Sequence, residues 1–292
     1  MKDKKILLYH LLALLIVCIW GTTFVSSKVL ITNGLRPIDV FVYRFLLAYV
    51  GIWLVAPRKL FCNSLKDEVF AMLLGVTGGS VYFLTENTAL QISTVTNVSL
   101  IVCTTPILTS ILLSIGNPDE RLNRRQKIGS IVAFVGMVLV VLNGKFALQL
   151  SPVGDLLSFI AALSWAFYSL FTKRLTAKYS NLFVIRKVFF YGLLTVLPVL
   201  FFTGLKFDAD ILLQNKVLFN LLFLGIVASM LCYYFWNVVM KKVGVVKTSN
   251  YIYLNPVVAI ITASVLINEQ ITVFALVGMG LILIGMYNAE KR

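Results

Sequence analysis

The stretch Gly244-Val-Val-Lys-Thr-Ser-Asn-Tyr-Ile-Tyr-Leu-Asn-Pro-Val-Val-Ala-Ile-Ile-Thr-Ala-Ser-Val-Leu-Ile-Asn-Glu269 decides the fold. It is apolar and exceeds the ~20 residues that a helix needs to cross a bilayer, yet it carries Pro256 near its middle. Proline has no N–H and crowds the carbonyl four residues back, so the helix loosens there. Thr248, Tyr251, Asn255 and Thr262 fall at i, i+3, i+7 and i+14, one helical face. A broken span with a polar stripe faces lipid poorly, because its freed backbone groups need partners or water. It suits the wall of a cavity.

The pattern has an echo. Pro106 stands 150 positions before Pro256, within Thr94-Val-Thr-Asn-Val-Ser-Leu-Ile-Val-Cys-Thr-Thr-Pro106. Thr105 takes the place of Asn255, and Asn97 with Thr105 begins a second polar stripe. Proline-interrupted spans at corresponding positions of two halves point to a binding site in a membrane transporter.

Composition agrees. Of 292 residues, 59% are hydrophobic and 13% charged, against about a quarter charged in an ordinary soluble domain, and the mean hydropathy is +0.92. The chain reads as all-α and integral to the membrane. Its net charge of +14 does not imply nucleic acid, because the basic residues sit in short loops between apolar runs, where they set topology. Cys18, Cys62, Cys103 and Cys232 share no metal-type spacing, and three of them lie within apolar runs, so packing is the expected role. No metal or cofactor is expected.

Ten spans can be placed, at about 6–27, 37–56, 68–90, 93–115, 126–143, 152–172, 182–203, 216–238, 246–268 and 271–288. With the N-terminus inside, the cytoplasmic segments hold 18 Lys and Arg and the outer segments 5, with Arg44, Arg186 and Lys187 inside spans. That split places both termini in the cytoplasm. Met1 to Trp20 lacks a small-residue cleavage site and reads as an uncleaved first span.

The halves repeat, predicting modules 1–145 and 146–292. Trp20 to Lys28 matches Trp165 to Lys173, and Phe41-Val-Tyr-Arg44 matches Phe183-Val-Ile-Arg186. Leu74-Gly75 and Asn87 return as Leu224-Gly225 and Asn237. Glu120, Gly129 and Gly136 return as Glu269, Gly278 and Gly285. Five spans per module is odd, so the second module enters from the opposite face and the repeat is inverted.

In this order, duplicated along nearly the whole chain, these motifs resemble the drug/metabolite transporter superfamily and its EamA-type branch. The resemblance implies ten helices around a central cavity lined by spans 1–4 and 6–9, with spans 5 and 10 to one side. It also implies export of small metabolites such as amino acids, or of drugs, across the inner (plasma) membrane.

Glu86 is the acidic residue placed well inside a span, roughly seven residues past the centre of span 3, about 10 Å toward the outside. An intramembrane carboxylate is costly and suggests function: binding a substrate ammonium, or carrying a coupling proton. The bland reading is a static ion pair with Arg44. The position equivalent to Glu86 is Trp236, so the scaffold does not itself require an acid there. Arg44 could hold a substrate carboxylate; Arg186, beside Lys187, is expected to snorkel to the headgroups.

Trp20, Tyr43, Tyr82, Trp165, Tyr168, Tyr233, Trp236 and Tyr251 lie mostly inside spans, with packing or an interfacial belt as the bland role. Of these, Trp20, Tyr82, Trp165, Tyr168, Trp236 and Tyr251 are the candidate cavity aromatics. Asn97, Thr105 and Asn255 are expected at the cavity, and Asn87 and Asn237 in scaffold hydrogen bonds. Glu120 and Glu269 read as helix-start carboxylates, the repeated glycines as close-packing sites, and His10 as incidental. No Walker loop, His-Glu-x-x-His or Gly-x-Ser-x-Gly occurs, so no catalytic residue is named.

The expectation is a secondary transporter of small organic metabolites, such as amino acids or amphipathic drug-like solutes. Its partners are the lipid bilayer and a small-molecule substrate, and a monomer is expected although the oligomeric state is unknown. The alternatives are an obligate antiporter of phosphorylated or nucleotide-linked metabolites, which need several cavity cations, and a membrane-embedded enzyme acting on lipid-borne substrates.

Overall fold

The computed structural model describes residues 2–56, 59–116, 123–142, 151–258, 261 and 272–290. Every described element is helical. The chain runs α1 (Lys2–Thr32), α2 (Pro37–Trp53), α3 (Leu65–Gly75), a π-helical segment (Val76–Ser80), α4 (Val81–Ile92), α5 (Val95–Val102), α6 (Thr105–Gly116) and α7 (Arg124–Leu142). It continues as α8 (Pro152–Thr176), α9 (Asn181–Thr203), the short α10 (Ala209–Leu212), α11 (Asn215–Leu222), a second π-helical segment (Phe223–Leu231) and α12 (Cys232–Val243). Last come α13 (Val245–Asn250), a 3-10 turn (Tyr251–Leu254) and α14 (Val273–Glu290).

Six helical runs among the described residues are long and apolar enough to cross a membrane: Ile6–Thr32, Leu65–Ile92, Asn97–Ile115, Pro152–Thr176, Asn181–Thr203 and Asn215–Val243. The protein is an integral membrane protein. The ten expected spans include shorter runs that fall outside this set. The 17 residues of α2 span only about 25 Å at the helical rise, and the passage begun by α13 leaves the described residues after Val258. Glu120, Thr262 and Glu269 also lie outside them.

Local chemistry sets the boundaries. Ser64 caps α3 by accepting from the Asp67 amide, with Asp67 and Glu68 in the first turn, where carboxylates complement the positive helix end. Thr94 and Ser180 cap α5 and α9 in the same way. Gly244 takes a φ of +102° between α12 and α13, which turns the chain back on itself with no Cβ penalty. The two prolines break their spans. Ahead of Pro106, helix gives way to a turn at Cys103–Thr104; ahead of Pro256 it tightens into the 3-10 turn.

The packing interleaves the two halves of the chain. The helix α8 lies against α4, α5 and α6, while α1 lies against α12, the second π segment and the 3-10 turn. Between these groups α2 and α9 run side by side, with Phe45 edge-on to Phe189 at 5.1 Å. The most extensive pair is α7 with α14, and it closes on glycines: a Cβ at Gly129 would lie 2.6 Å from the Gly285 carbonyl oxygen, and one at Gly136 would lie 2.6 Å from that of Gly278.

One expectation is corrected. Arg186 and Lys187 are only 3% and 4% exposed. Arg186 donates to the Lys59 carbonyl and stacks 5.0 Å over Trp53, and Lys187 pairs with Glu68, which also accepts from Tyr191. A carboxylate partner for Lys187, and a backbone carbonyl with aromatic faces for Arg186, hold both inside the bundle in place of an excursion to the headgroups.

Candidate functional site

A narrow, partly open cavity holds about 450 Å³ of empty space between α1, α2, α4, the broken spans, α8 and α12. Part of that space is open to solvent, and the enclosed room is only about 40 Å³. Its lining includes Trp20, Arg44, Tyr82, Glu86, Thr105, Trp165 and Asn255, seven of the eleven sequence candidates.

The aromatic wall is built from α1, α4, α8 and α12. Trp20 meets Trp165 edge-on at 5.3 Å, Trp165 meets Tyr233 edge-on at 5.3 Å, and Tyr82 tilts against Trp165 at 5.0 Å. Such edge-to-face contacts rigidify an apolar surface. Trp20 Nε1 donates to the Ala228 carbonyl at 2.9 Å, and the Tyr233 hydroxyl donates to the Gly78 carbonyl at 2.7 Å. Each bond ties an aromatic of one half to the π-helical segment of the other.

Two ionisable side chains enter this wall. Glu86 is 4% exposed, and its Oε1 accepts from the Tyr82 hydroxyl at 2.8 Å, one turn back on α4. Arg44 is 2% exposed; its Nε donates to Ser229 Oγ at 2.5 Å and its guanidinium lies 4.1 Å above the Phe83 ring. Arg44 and Glu86 line the same cavity without a direct ion-pair contact. The two terminal nitrogens of Arg44 have no protein acceptor among the described residues. The Trp165 indole nitrogen and the Asn255 side-chain oxygen are also buried without a hydrogen-bond partner. The cavity thus offers a cation, a carboxylate, a neutral donor and a neutral acceptor within an aromatic shell.

The other four candidates stand outside the lining. Tyr168 is fully buried behind Trp165 (4.7 Å) and donates to Asn237 Oδ1 at 2.9 Å. Trp236 packs behind Trp20 at 4.8 Å. Asn97 occupies the first turn of α5, where Thr94 accepts from its amide. The Tyr251 hydroxyl meets His10 Nδ1 at 2.7 Å, between α1 and the 3-10 turn. Helical periodicity puts all four on plausible faces, but Tyr168 sits behind Trp165 on the unbroken α8 and Trp236 behind Trp20, so the nearer aromatics take the cavity surface. Asn87 donates to the Pro37 carbonyl at 3.3 Å, so both repeated asparagines join helices.

The cavity is also lined by Tyr233, an aromatic assigned to packing or a belt, and by Thr23, Phe24, Phe83, Val102 and Ile252, which the sequence reading missed. A usable signal existed: the 150-residue offset that pairs Thr105 with Asn255 also pairs Phe83 with Tyr233 and Val102 with Ile252. Among the described residues no group of three His, Cys, Asp or Glu could hold a metal.

Fold and cavity together define a helical membrane protein that encloses a mixed aromatic and charged hollow inside its bundle. The chain belongs to the EamA-like transporter family, whose model matches residues 7–142 and again 152–288. It is a transporter, not an enzyme. An uncharacterized transporter of Archaeoglobus fulgidus is 26% identical over 95% of this chain and 96% of the relative. Two proteins named "Probable amino-acid metabolite efflux pump" are similar along most of their length. The one from Salmonella typhimurium is 29% identical over 94% of this chain and 92% of its own, and the one from Escherichia coli 25% over the same shares. A solved crystal structure shares the fold, with a TM-score of 0.74 over 96% of both chains at 18% identity.

Proposed function

We propose that this chain is a secondary exporter of amino acids and similar small zwitterionic or amphipathic metabolites, working by alternating access. In this reading ten helices form two inverted five-helix modules, 1–145 and 146–292, in the inner membrane with both termini in the cytoplasm. The substrate lies in the cavity at the shared waist. The Arg44 fork grips its carboxylate, Glu86 takes its ammonium, and the wall of Trp20, Tyr82, Trp165 and Tyr233 holds its side chain. Thr105, Asn255 and the Trp165 indole supply neutral hydrogen bonds.

The observation that carries this reading is the coexistence of an unpaired guanidinium fork and a buried carboxylate in one aromatic-lined cavity. Left empty, each charge would be stranded in a low-dielectric interior, and a zwitterion satisfies both. The names of the Salmonella and Escherichia relatives support an amino-acid cargo. A phosphorylated substrate would call for more cavity cations than Arg44.

Proteoliposomes loaded with labelled amino acids, matched amines, dyes or sugars test the reading. Efflux of zwitterions should exceed that of the rest. Arg44→Lys keeps the charge but loses the bidentate fork, and should weaken zwitterion affinity by about tenfold to a hundredfold, the worth of a charge-assisted hydrogen bond. Glu86→Gln should weaken it similarly and remove any response to an imposed pH gradient. A wild-type protein that moves only sugars or dyes would end this assignment.

A further inference from the structure

We propose that Ser229 is a positioning residue for Arg44 and so sets the preference of the cavity for solutes that bear a carboxylate. The inference rests on the zwitterion reading above and adds to it a residue that touches no substrate.

Ser229 is fully buried in the second π-helical segment. The i→i+5 bonding of such a segment widens the turn and places an extra residue in the helix, so the side chains on either side of it are turned relative to a regular α-helix. Two neighbouring groups here meet the other half of the chain: the Ala228 carbonyl accepts from Trp20 Nε1 at 2.9 Å, and Ser229 Oγ accepts from Arg44 Nε at 2.5 Å. Both donors belong to cavity-lining residues.

The geometry at Arg44 explains what the serine does. A guanidinium has an inner nitrogen, Nε, and an outer pair that forms the fork for a carboxylate. Ser229 occupies the inner nitrogen, and Phe83 supports the face of the plane at 4.1 Å. The outer pair keeps no protein acceptor among the described residues. A side chain held at its base and along one face, with its tips free, is aimed at a planar acceptor.

The repeat shows that this arrangement is not demanded by the scaffold. The position equivalent to Ser229 is Gly79, in the first π segment, where a Cβ would lie 2.9 Å from the Phe45 ring and 3.1 Å from Gly192 Cα. The counterpart of Arg44 is Arg186, which is engaged with Lys59 and Trp53 away from the cavity. One half supplies the hydroxyl, the other the guanidinium, and the inverse pair is missing.

The test compares the wild type with Ser229→Ala, Ser229→Thr and Ser229→Cys in proteoliposomes. The KM for phenylalanine is measured beside that for phenethylamine, the same solute without its carboxylate, and each variant's thermal midpoint is recorded. Ser229→Ala should raise the phenylalanine KM about tenfold, the worth of ~1.4 kcal/mol, and leave the phenethylamine KM unchanged. Ser229→Thr, which restores the acceptor, should return the phenylalanine value to within about threefold of the wild type. If the alanine variant does not fold, the near-isosteric cysteine variant, a weaker acceptor, should show the same selective rise at smaller size. Equal KM changes for both solutes, or none for either, would reduce Ser229 to a packing residue and overturn the proposal while leaving the zwitterion site intact. A wild type that carries phenethylamine but no carboxylate-bearing solute would overturn both.

Discussion

At the scale of single residues, the legible positions were those whose chemistry clashes with their surroundings. Glu86 and Arg44 stand out because a charge in an apolar run is expensive wherever it points, and both reach the cavity. Ser229 could not be found this way. A serine in an apolar helix is cheap, and its partner lies 185 positions away in the chain. Cys62 is the one cysteine that lies in a loop rather than an apolar run, and its position allows a sharper statement. Burial first, and the neighbouring Glu68 carboxylate second, push its thiol up to about 12. Alkylation needs the thiolate, whose fraction at pH 8 falls on the order of 2,000-fold relative to an ordinary thiol of pKa ~8.5. The greater nucleophilicity of a more basic thiolate offsets part of that loss. In a variant keeping only this cysteine, iodoacetamide should react about 50- to 100-fold more slowly at pH 8 than with a free peptide thiol. The rate should still climb about tenfold per pH unit above pH 9, and Glu68→Gln should speed it. A plateau near pH 9 would show an ordinary thiol.

At the scale of elements, Pro106 and Pro256 announced their breaks because proline acts through covalent geometry, whatever surrounds it. The two π-helical segments left no comparable mark. An extra residue per turn changes which face a side chain occupies, but where both faces are apolar the hydrophobic periodicity does not register it. Only the recurrence of Leu74-Gly75 as Leu224-Gly225 hinted that these positions matched. The glycines of α7 and α14 were legible in role but not in partner. Their pairing makes a prediction about stability rather than transport. In Gly136→Ala the new Cβ would stand 2.6 Å from the Gly278 carbonyl oxygen, a backbone atom that cannot swing aside. Overpacking of this kind costs about 1–3 kcal/mol. The variant's thermal midpoint in detergent should fall by several degrees, roughly 2–4 °C per kcal/mol for a chain of this order, with the KM for substrate unchanged. Gly280→Ala is the control, because a Cβ there meets nothing within 4 Å; equal shifts in both would show that the α7–α14 contact is not what holds this pair.

At the scale of the whole molecule, the end of the bundle bearing the 59–64 loop is tied shut by charge. Asp67 accepts from Lys178 at 2.9 Å and from the Tyr179 hydroxyl at 3.0 Å, and that hydroxyl accepts from the Asn63 amide at 2.8 Å. One residue on, Glu68 pairs with Lys187 and accepts from Tyr191. These bonds join the start of α3 to the α8–α9 turn and to α9, elements from different halves of the chain. In the alternating-access cycle proposed above, opening the cavity to this end would require them to part, and they would bias the resting population toward a form closed there. Weakening that latch by about 1 kcal/mol should shift the population about fivefold. The readout is a single cysteine at the cavity position Thr23, in a background freed of the four native thiols, challenged with a membrane-impermeant maleimide from either side. Glu68→Gln should raise its labelling severalfold from the side of the 59–64 loop and lower it from the other. The exchange of Glu68→Lys with Lys187→Glu should bring both rates back. A cysteine introduced at the exposed Leu205, labelled in intact cells while one introduced at the exposed Leu60 stays protected until the membrane is opened, fixes which side is the cytoplasm. Labelling at Thr23 that rises equally from both sides would mean that Glu68 holds the bundle together rather than holding it closed, and opening at this end would then need a different latch.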